Sequence, residues 1–280
     1  MFSVSILSLL ASAFTLTNAG VAPALPNFNL VWSETFDGAA GSEVNLDNWV
    51  HRTGPQSNNE VETYTTSTEN CALTGAGSVL ITPLESATGE WTSCRIETNT
   101  EFTADEGSMM IVQALIRLGS NAGIGNHAGI WPAFWALGGA VRRGTEWPQC
   151  GEWDVMENIN AEALGHGTLH CASCEGNGAL SSATEFSYDG FHTWAMAVDR
   201  TNKDWTLQEL RYYMDGNLYN VITGADVADQ ASWEAVTAEP FFLILNVAVG
   251  GDWSGPPTVA TASGAASAME VQYVGVYKSI

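Results

Sequence analysis

Positive charge is scarce in this 280-residue chain: nine Lys and Arg stand against 31 Asp and Glu, a net charge of −22. A surface so acidic repels nucleic acid and anionic lipid. It would equally repel a sulfated or uronic polysaccharide, so a neutral partner is favoured. Long helical periodicity is missing, and no N-x-Ser/Thr sequon occurs, so N-glycosylation is not expected. A P-loop, a G-x-S-x-G elbow and an H-E-x-x-H pair are all absent, which removes the commonest nucleotide, serine-hydrolase and zinc-protease signatures. The stretch GIGNHA (123–128) superficially matches a dinucleotide fingerprint. No βαβ unit surrounds it, and it reads as a loop.

Residues 1–19 lack charge altogether, and their apolar run ends in the small-residue site Thr17-Asn18-Ala19. That is the pattern of a secretory signal peptide, although its n-region lacks Lys or Arg. Interrupted by Ser and Thr, the run is short for a bilayer span. No second apolar stretch reaches spanning length, and the C-terminal VGVYKSI lacks a lipid-anchor tail. The expectation is a secreted, extracellular monomer outside the membrane, with 1–19 a signal peptide and 20–280 a single domain.

Five cysteines, at 71, 94, 150, 171 and 174, suggest one or two disulfides and at least one unpaired thiol in an exported chain. Cys171 and Cys174 lie close to His166 and His170, which raises a zinc site. These four residues span a strand and its turn, not a knuckle, so disulfide or free-thiol chemistry is favoured.

What the sequence has in abundance is short strand-like runs. They include LVWSETF (30–36), SVLITPL (78–84), SMMIVQALIRL (108–118), WPAFWAL (131–137), FHTWAMAVD (191–199), LRYYMDG (210–216), FFLILNVAV (241–249) and MEVQYVGVY (269–277). Joined by Gly, Asn and Asp turns, they indicate an all-β sandwich. MDGN (214–217) reads as a hairpin turn, and ADVADQASWEAV (225–236) as one short helix.

One stretch carries chemistry. CGEWDVMENIN (150–160) places Glu152, Asp154 and Glu157 within six positions. On a helix, Glu152 and Glu157 would lie roughly 140° apart and could not serve one bond. On a regular strand their odd spacing puts them on opposite faces. A β-bulge near Val155 or Met156 returns Glu157 to the face of Glu152 and Asp154. The two glutamates then stand about 13 Å apart at Cα, at ~3.3 Å per step. Long side chains leaning together approach the ~5–5.5 Å a retaining glycosidase needs. Crowded acids cannot all ionise, so one keeps its proton, as a nucleophile paired with a general acid requires. The competing interpretation is a solvated strand face with mutually repelling charges. In GIWPAFWALGG, Trp131, Ala133 and Trp135 share one parity, and two indoles flanking a small residue make a platform for flat sugar rings. Trp153 points to the other face, between the sheets.

WPQCGEWDVMEN resembles the E-x-D-x-x-E signature of glycoside hydrolase family 16, in its laminarinase-like endo-β-1,3(4)-glucanase branch. Colinear stretches extend the resemblance over nearly all of 20–280: LVWSETFDG (30–38), LDNWVHRTG (46–54), NNEVETYT (58–65), WTSCRIETN (91–99), GTLH (167–170), PFFLILNVAVGGDW (240–253) and VQYVGVY (271–277). It implies a jelly-roll sandwich of two curved antiparallel, concanavalin A-like sheets with a neutral β-glucan in the concave cleft, and retaining hydrolysis without a cofactor. By position, Glu152 would be the nucleophile, Glu157 the acid/base and Asp154 the assistant of Glu152. The extra residue before the last acid is found in laminarinases and missing in lichenases. The matching also implies that Trp147 lines the sugar site nearest cleavage and that His170 lies beside the acid/base. Asn59 and Arg95 would bind sugar hydroxyls, and Trp253 would stack on a neighbouring sugar. Trp153 stands where an aliphatic residue is usual. Cys94 stands where Gly is usual, which makes a local Cys71–Cys94 disulfide one pairing to expect. Gln272 replaces an Asp that often helps bind a structural calcium, and that puts the ion in doubt, because Gln offers no carboxylate. Two rival functions share the fold: transglycosylation to a sugar acceptor, and glucan binding without catalysis.

Overall fold

The computed structural model describes residues 20–55, 57–119, 126–174 and 179–280. The expected signal peptide and residues 123–125 of the glycine-rich loop lie outside the described residues.

Apolar runs of period two or continuous hydrophobicity build two large antiparallel sheets. One orders the strands Leu180–Glu185, Leu164–His170, Glu152–Glu157, Ile130–Gly138, Phe241–Val249, Arg95–Thr98 and Trp49–His51. The other orders Asn217–Thr223, Glu209–Met214, His192–Asp199, Met109–Leu118, Met269–Ser279, Val79–Ile81 and Cys71–Leu73, with Phe28–Glu34 also paired to Met269–Ser279. A small third sheet joins Gly54–Pro55, Glu62–Tyr64, Trp91–Ser93 and Leu84–Glu85. The architecture is the expected all-β sandwich. No helix among the described residues is long and apolar enough to cross a membrane.

The main core lies between the large sheets. All nine residues of Phe241–Val249 are buried, as a central strand covered on both faces demands. Trp153, expected on the inner side of the acidic strand, stacks on Phe241 with centroids 3.7 Å apart and donates its indole N–H to the Val236 carbonyl. Burying a side chain such as Phe241 contributes about 1.5–3 kcal/mol. Trp153 is thereby spent on the core, leaving its neighbours to face outward.

Local chemistry sets the turns. Asp215 (φ 48°) and Gly216 (φ 74°) form the expected hairpin between Glu209–Met214 and Asn217–Thr223, the positive-φ pair of a tight hairpin turn. The single helix expected over 225–236 is two: Gly224–Val227 and Gln230–Thr237. Ala228 adopts a left-handed conformation that ends the first, and the Asp229 side chain accepts from the Ser232 N–H to start the second. Gly138 ends its strand where a Cβ would stand 1.8 Å from the Cys150 carbonyl oxygen. That close approach lets the 139–151 excursion fold back and enter the acidic strand.

The cysteines pair differently from one expectation. Cys171 and Cys174 form a disulfide, which excludes the zinc alternative for them, whereas Cys71, Cys94 and Cys150 are free and buried. The Cys71 thiol acts electrostatically on that of Cys94, whose Sγ lies 3.8 Å from His51 Nδ1. Burial, aided by the Cys71 thiol, pushes the Cys94 thiol well up. It suppresses the thiolate that disulfide exchange requires.

Candidate active site

The acidic strand, Glu152–Glu157, lies between Ile130–Gly138 and Leu164–His170. Against the first, Leu137 faces Glu152, Trp135 faces Asp154 and Ala133 faces Glu157. Against the second, the partners are His170, Thr168 and His166. Val155 is skipped in both ladders, and the register shifts between Asp154 and Glu157. This is the bulge that the odd spacing required. It places all three carboxyls on one side, each beside a cross-strand neighbour of matching parity.

Each acid has its own surroundings. Trp131 donates its indole N–H to Glu157 Oε1 at 2.9 Å, and Trp147 donates to Glu152 Oε2 at 3.1 Å. His170 Nε2 lies 3.3 Å from Asp154 Oδ2 and 3.9 Å from Glu152 Oε1. Asp154 and Glu157 are buried and Glu152 is half-buried. Burial first, and the Asp154 charge second, push both glutamates well above the usual carboxylate range. His170 and Arg95 favour the charged form of Glu152, while Glu157 has the Trp131 indole and the field of His170. Such a cluster retains protons at neutral pH. Glu152, Asp154 and His170 also present ligand atoms within 4.8 Å of one another, so a cation there would compete for the same carboxylates.

Aromatic rings extend the site. Trp147 is about half exposed (48%), with its ring 5.6 Å from that of His170. Trp253 (42% exposed) meets Trp131 edge-on at 5.5 Å and His166 at 5.0 Å. A Cβ on Gly251 (φ +124°) would stand 3.0 Å from the Trp131 ring, so glycine there lets the loop lie against the indole. Trp131 and Trp135 do not form a bare pair. Arg95 covers Trp135 at 4.7 Å, and the Trp135 indole donates to Asn246 Oδ1 at 2.6 Å. The exposed partner of Trp131 is Trp253.

Residues 48–204, more than half of the chain, match the family model described as "XgeA-like, catalytic GH16 domain". The chain belongs to glycoside hydrolase family 16. Its fold follows the solved endo-1,3-beta-glucanase from Streptomyces sioyaensis with a TM-score of 0.86 at 38% identity, over 92% of this chain and 99% of that one. A beta-glucanase of Rhodothermus marinus is 29% identical over 270 residues, 90% of this chain and 86% of the relative. Glucan endo-1,3-beta-glucosidase A1 of Niallia circulans is 28% identical over 91% of this chain, which spans only 39% of that protein.

Within the family 16 frame, the structure brings Glu152, Asp154, Glu157, Trp131, Trp147, His170 and Trp253 together through the contacts above. His170 differs from expectation in one respect: the antiparallel register sets it opposite Glu152, and His166 stands opposite Glu157. Arg95 makes a two-nitrogen contact with Glu97 Oε1 at 3.1 and 2.8 Å, and Asn59 donates to Asp252 Oδ1 at 2.7 Å. Sequence reasoning passed over Asn246, which links Trp135 to the Tyr64 hydroxyl, and over Glu60 and Glu62. The acids at 60 and 62 share a parity beside Asn59, the one signal that could have found them.

Proposed function

We propose that this chain is a secreted, endo-acting hydrolase of neutral glucans with β-1,3 linkages, mixed β-1,3/1,4 polymers included, working by retaining double displacement. The observation that carries this reading is the bulge at Val155, which turns Glu157 to the side of Glu152 and Asp154. The endo-1,3-beta-glucanase activity named for the relatives points the same way. Glu152 takes the nucleophile's role because it has His170 at hand and the Trp147 N–H to hold its charge. Its carboxylate oxygen attacks the anomeric carbon as Glu157 gives its proton to the departing glycosidic oxygen. Glu157, now ionised, takes a proton from water as the water oxygen attacks the same carbon and frees Glu152. Asp154 raises the proton affinity of both glutamates and is itself oriented by His170. No step requires a cofactor. Trp131, Trp147 and Trp253 supply faces for sugar rings.

The test is reducing-sugar release with product sizing on laminarin, lichenan, xyloglucan and agarose. Laminarin should be cut into intermediate oligosaccharides, and early products should carry the β-anomer by proton NMR. Glu152→Gln should drop to background while still binding laminarin, and Glu157→Gln should lose on the order of 10²–10⁴-fold. Near-normal turnover in Glu152→Gln, or inversion at the anomeric carbon, refutes the mechanism.

A further inference from the structure

Beside Asn59 lies a second pair of acids that the proposed reaction does not use. Glu60 and Glu62 flank the exposed Val61, so both side chains leave the backbone on the same side. Glu62 is buried, and its Oε2 accepts the Val249 N–H at 2.8 Å. Among the described residues its Oε1 is buried without a hydrogen bond, although the Tyr64 hydroxyl and the Glu62 N–H also favour the charged form of this carboxyl. The Glu60 carboxyl is within hydrogen-bonding reach of Glu62 and also faces Asn58 Nδ2 at 3.4 Å. Two ionised carboxylates cannot bond each other, whereas one proton between them supplies the donor that Glu62 Oε1 lacks. Among the described residues, the other titratable or charged groups acting on the pair are Tyr64 from the same stretch and Arg95, which is committed to Glu97, while Asp252 across the seam holds Asn59. Burial first, and the Glu62 charge second, push the Glu60 carboxyl up to about 8.

That pair sits on a seam. Val61 N–H donates to the Val249 carbonyl at 2.8 Å, Glu60 bridges Gly250, and Asp252 N–H donates to the Asn58 carbonyl at 2.8 Å. Asn59 closes the seam on Asp252. Residues 249–252 lead directly into Trp253, which rests against Trp131. We propose that Glu60 and Glu62 share one proton that latches residues 58–62 to 249–252, and that this latch positions Asn59 and Trp253 for the glucan. Both are positioning residues. Without the proton, two buried charges repel across the pair, the seam opens and the glucan loses its indole platform. The inference rests on the β-glucan assignment.

The test uses laminarin and the Glu152→Gln protein, so that binding is read without turnover. Between pH 7 and 9.5 the dissociation constant should rise about 30-fold, the factor by which a form titrating near pH 8 is depleted. In Glu60→Gln/Glu152→Gln, the amide donates to Glu62 at every pH, and the rise should vanish relative to that protein's own value at pH 6. A rise of equal size in both proteins, or no rise in either, overturns the latch. Failure to bind laminarin at pH 6 counts against the β-glucan assignment instead. The latch is then decided without ligand, from amide hydrogen exchange at Val61, Val249 and Asp252. Exchange there should accelerate with pH beyond base catalysis in the parent, and not in Glu60→Gln; identical behaviour overturns it. Should Glu60→Gln fail to fold, Glu62→Gln makes the same comparison, because it too leaves only one ionisable group.

Discussion

Trp131 holds two positions at once. Its indole N–H binds Glu157 at 2.9 Å, and its ring meets the edge of Trp253. The hydrogen bond favours the ionised form of Glu157, opposing burial and the Asp154 charge, which raise its proton affinity. Trp131→Phe keeps an aromatic face and deletes the donor. The Glu157 carboxyl should then hold its proton to still higher pH. In kcat at saturating laminarin, the alkaline limb reports the general acid in the bound complex, so that limb should move to higher pH. Using kcat excludes the Glu60–Glu62 latch, which acts on binding. An alkaline limb that stays in place after Trp131→Phe would remove Glu157 from the acid's role.

Among the connecting elements, the loop after Phe241–Val249 is the most exacting. Gly250 and Gly251 both have positive φ, and Gly251 packs on Trp131. Gly251→Ala adds a Cβ in that contact and strains a backbone conformation that L side chains rarely adopt. A cost of about 1–2 kcal/mol is typical. Borne by the sugar-binding loop, it corresponds to roughly a 5- to 30-fold rise in KM. Steady-state kinetics on laminarin should show that rise with kcat little changed; an equal loss in kcat would mean that the loop reaches the reacting centre. Such loop contacts explain what the sequence could and could not reveal. The acids, their bulge, the Phe241–Val249 strand and the Asp215-Gly216 turn were legible because each depends on neighbours within a few residues. The place of His170 was not, because the turn between Glu152–Glu157 and Leu164–His170 sets the register. Glu60 and Glu62 escaped notice for a similar reason: their meaning arises only when residues 249–252 come alongside from the far end of the chain. Cysteine pairing likewise follows distance in space, which linear spacing does not give.

At the scale of the whole molecule, Glu60, Glu62, Glu152 and Glu157, all buried or partly buried, have raised proton affinity. Below their unfolded values, near 4.5, both states hold these protons. Above that value the folded chain keeps protons that the unfolded chain has released, so stability falls with rising pH until the folded groups also ionise. The net charge of −22 adds self-repulsion in the same direction. Asp215, whose carboxyl is lowered by the His192 and Thr193 hydrogen bonds, acts oppositely, and its contribution is lost only as pH drops below the usual Asp range. Calorimetry should therefore find the highest Tm near pH 5 and a decline of several degrees by pH 9. Part of the fall between about pH 4.5 and pH 8 should disappear in Glu60→Gln. A Tm that climbs from pH 5 to 9 would contradict the raised proton affinity of these acids.

The bulge at Val155 has a consequence for counting. A strand is read in a frame of two, and one skipped residue is a frameshift that the fold itself corrects. Deleting Val155 from the text would give Glu-Trp-Asp-Met-Glu, which meets the two-residue frame with no correction at all. Two different spellings thus deliver the same three carboxyls to the same side. Spacing between acids in sequence is therefore a poor ruler for this chemistry, and phase is the better one.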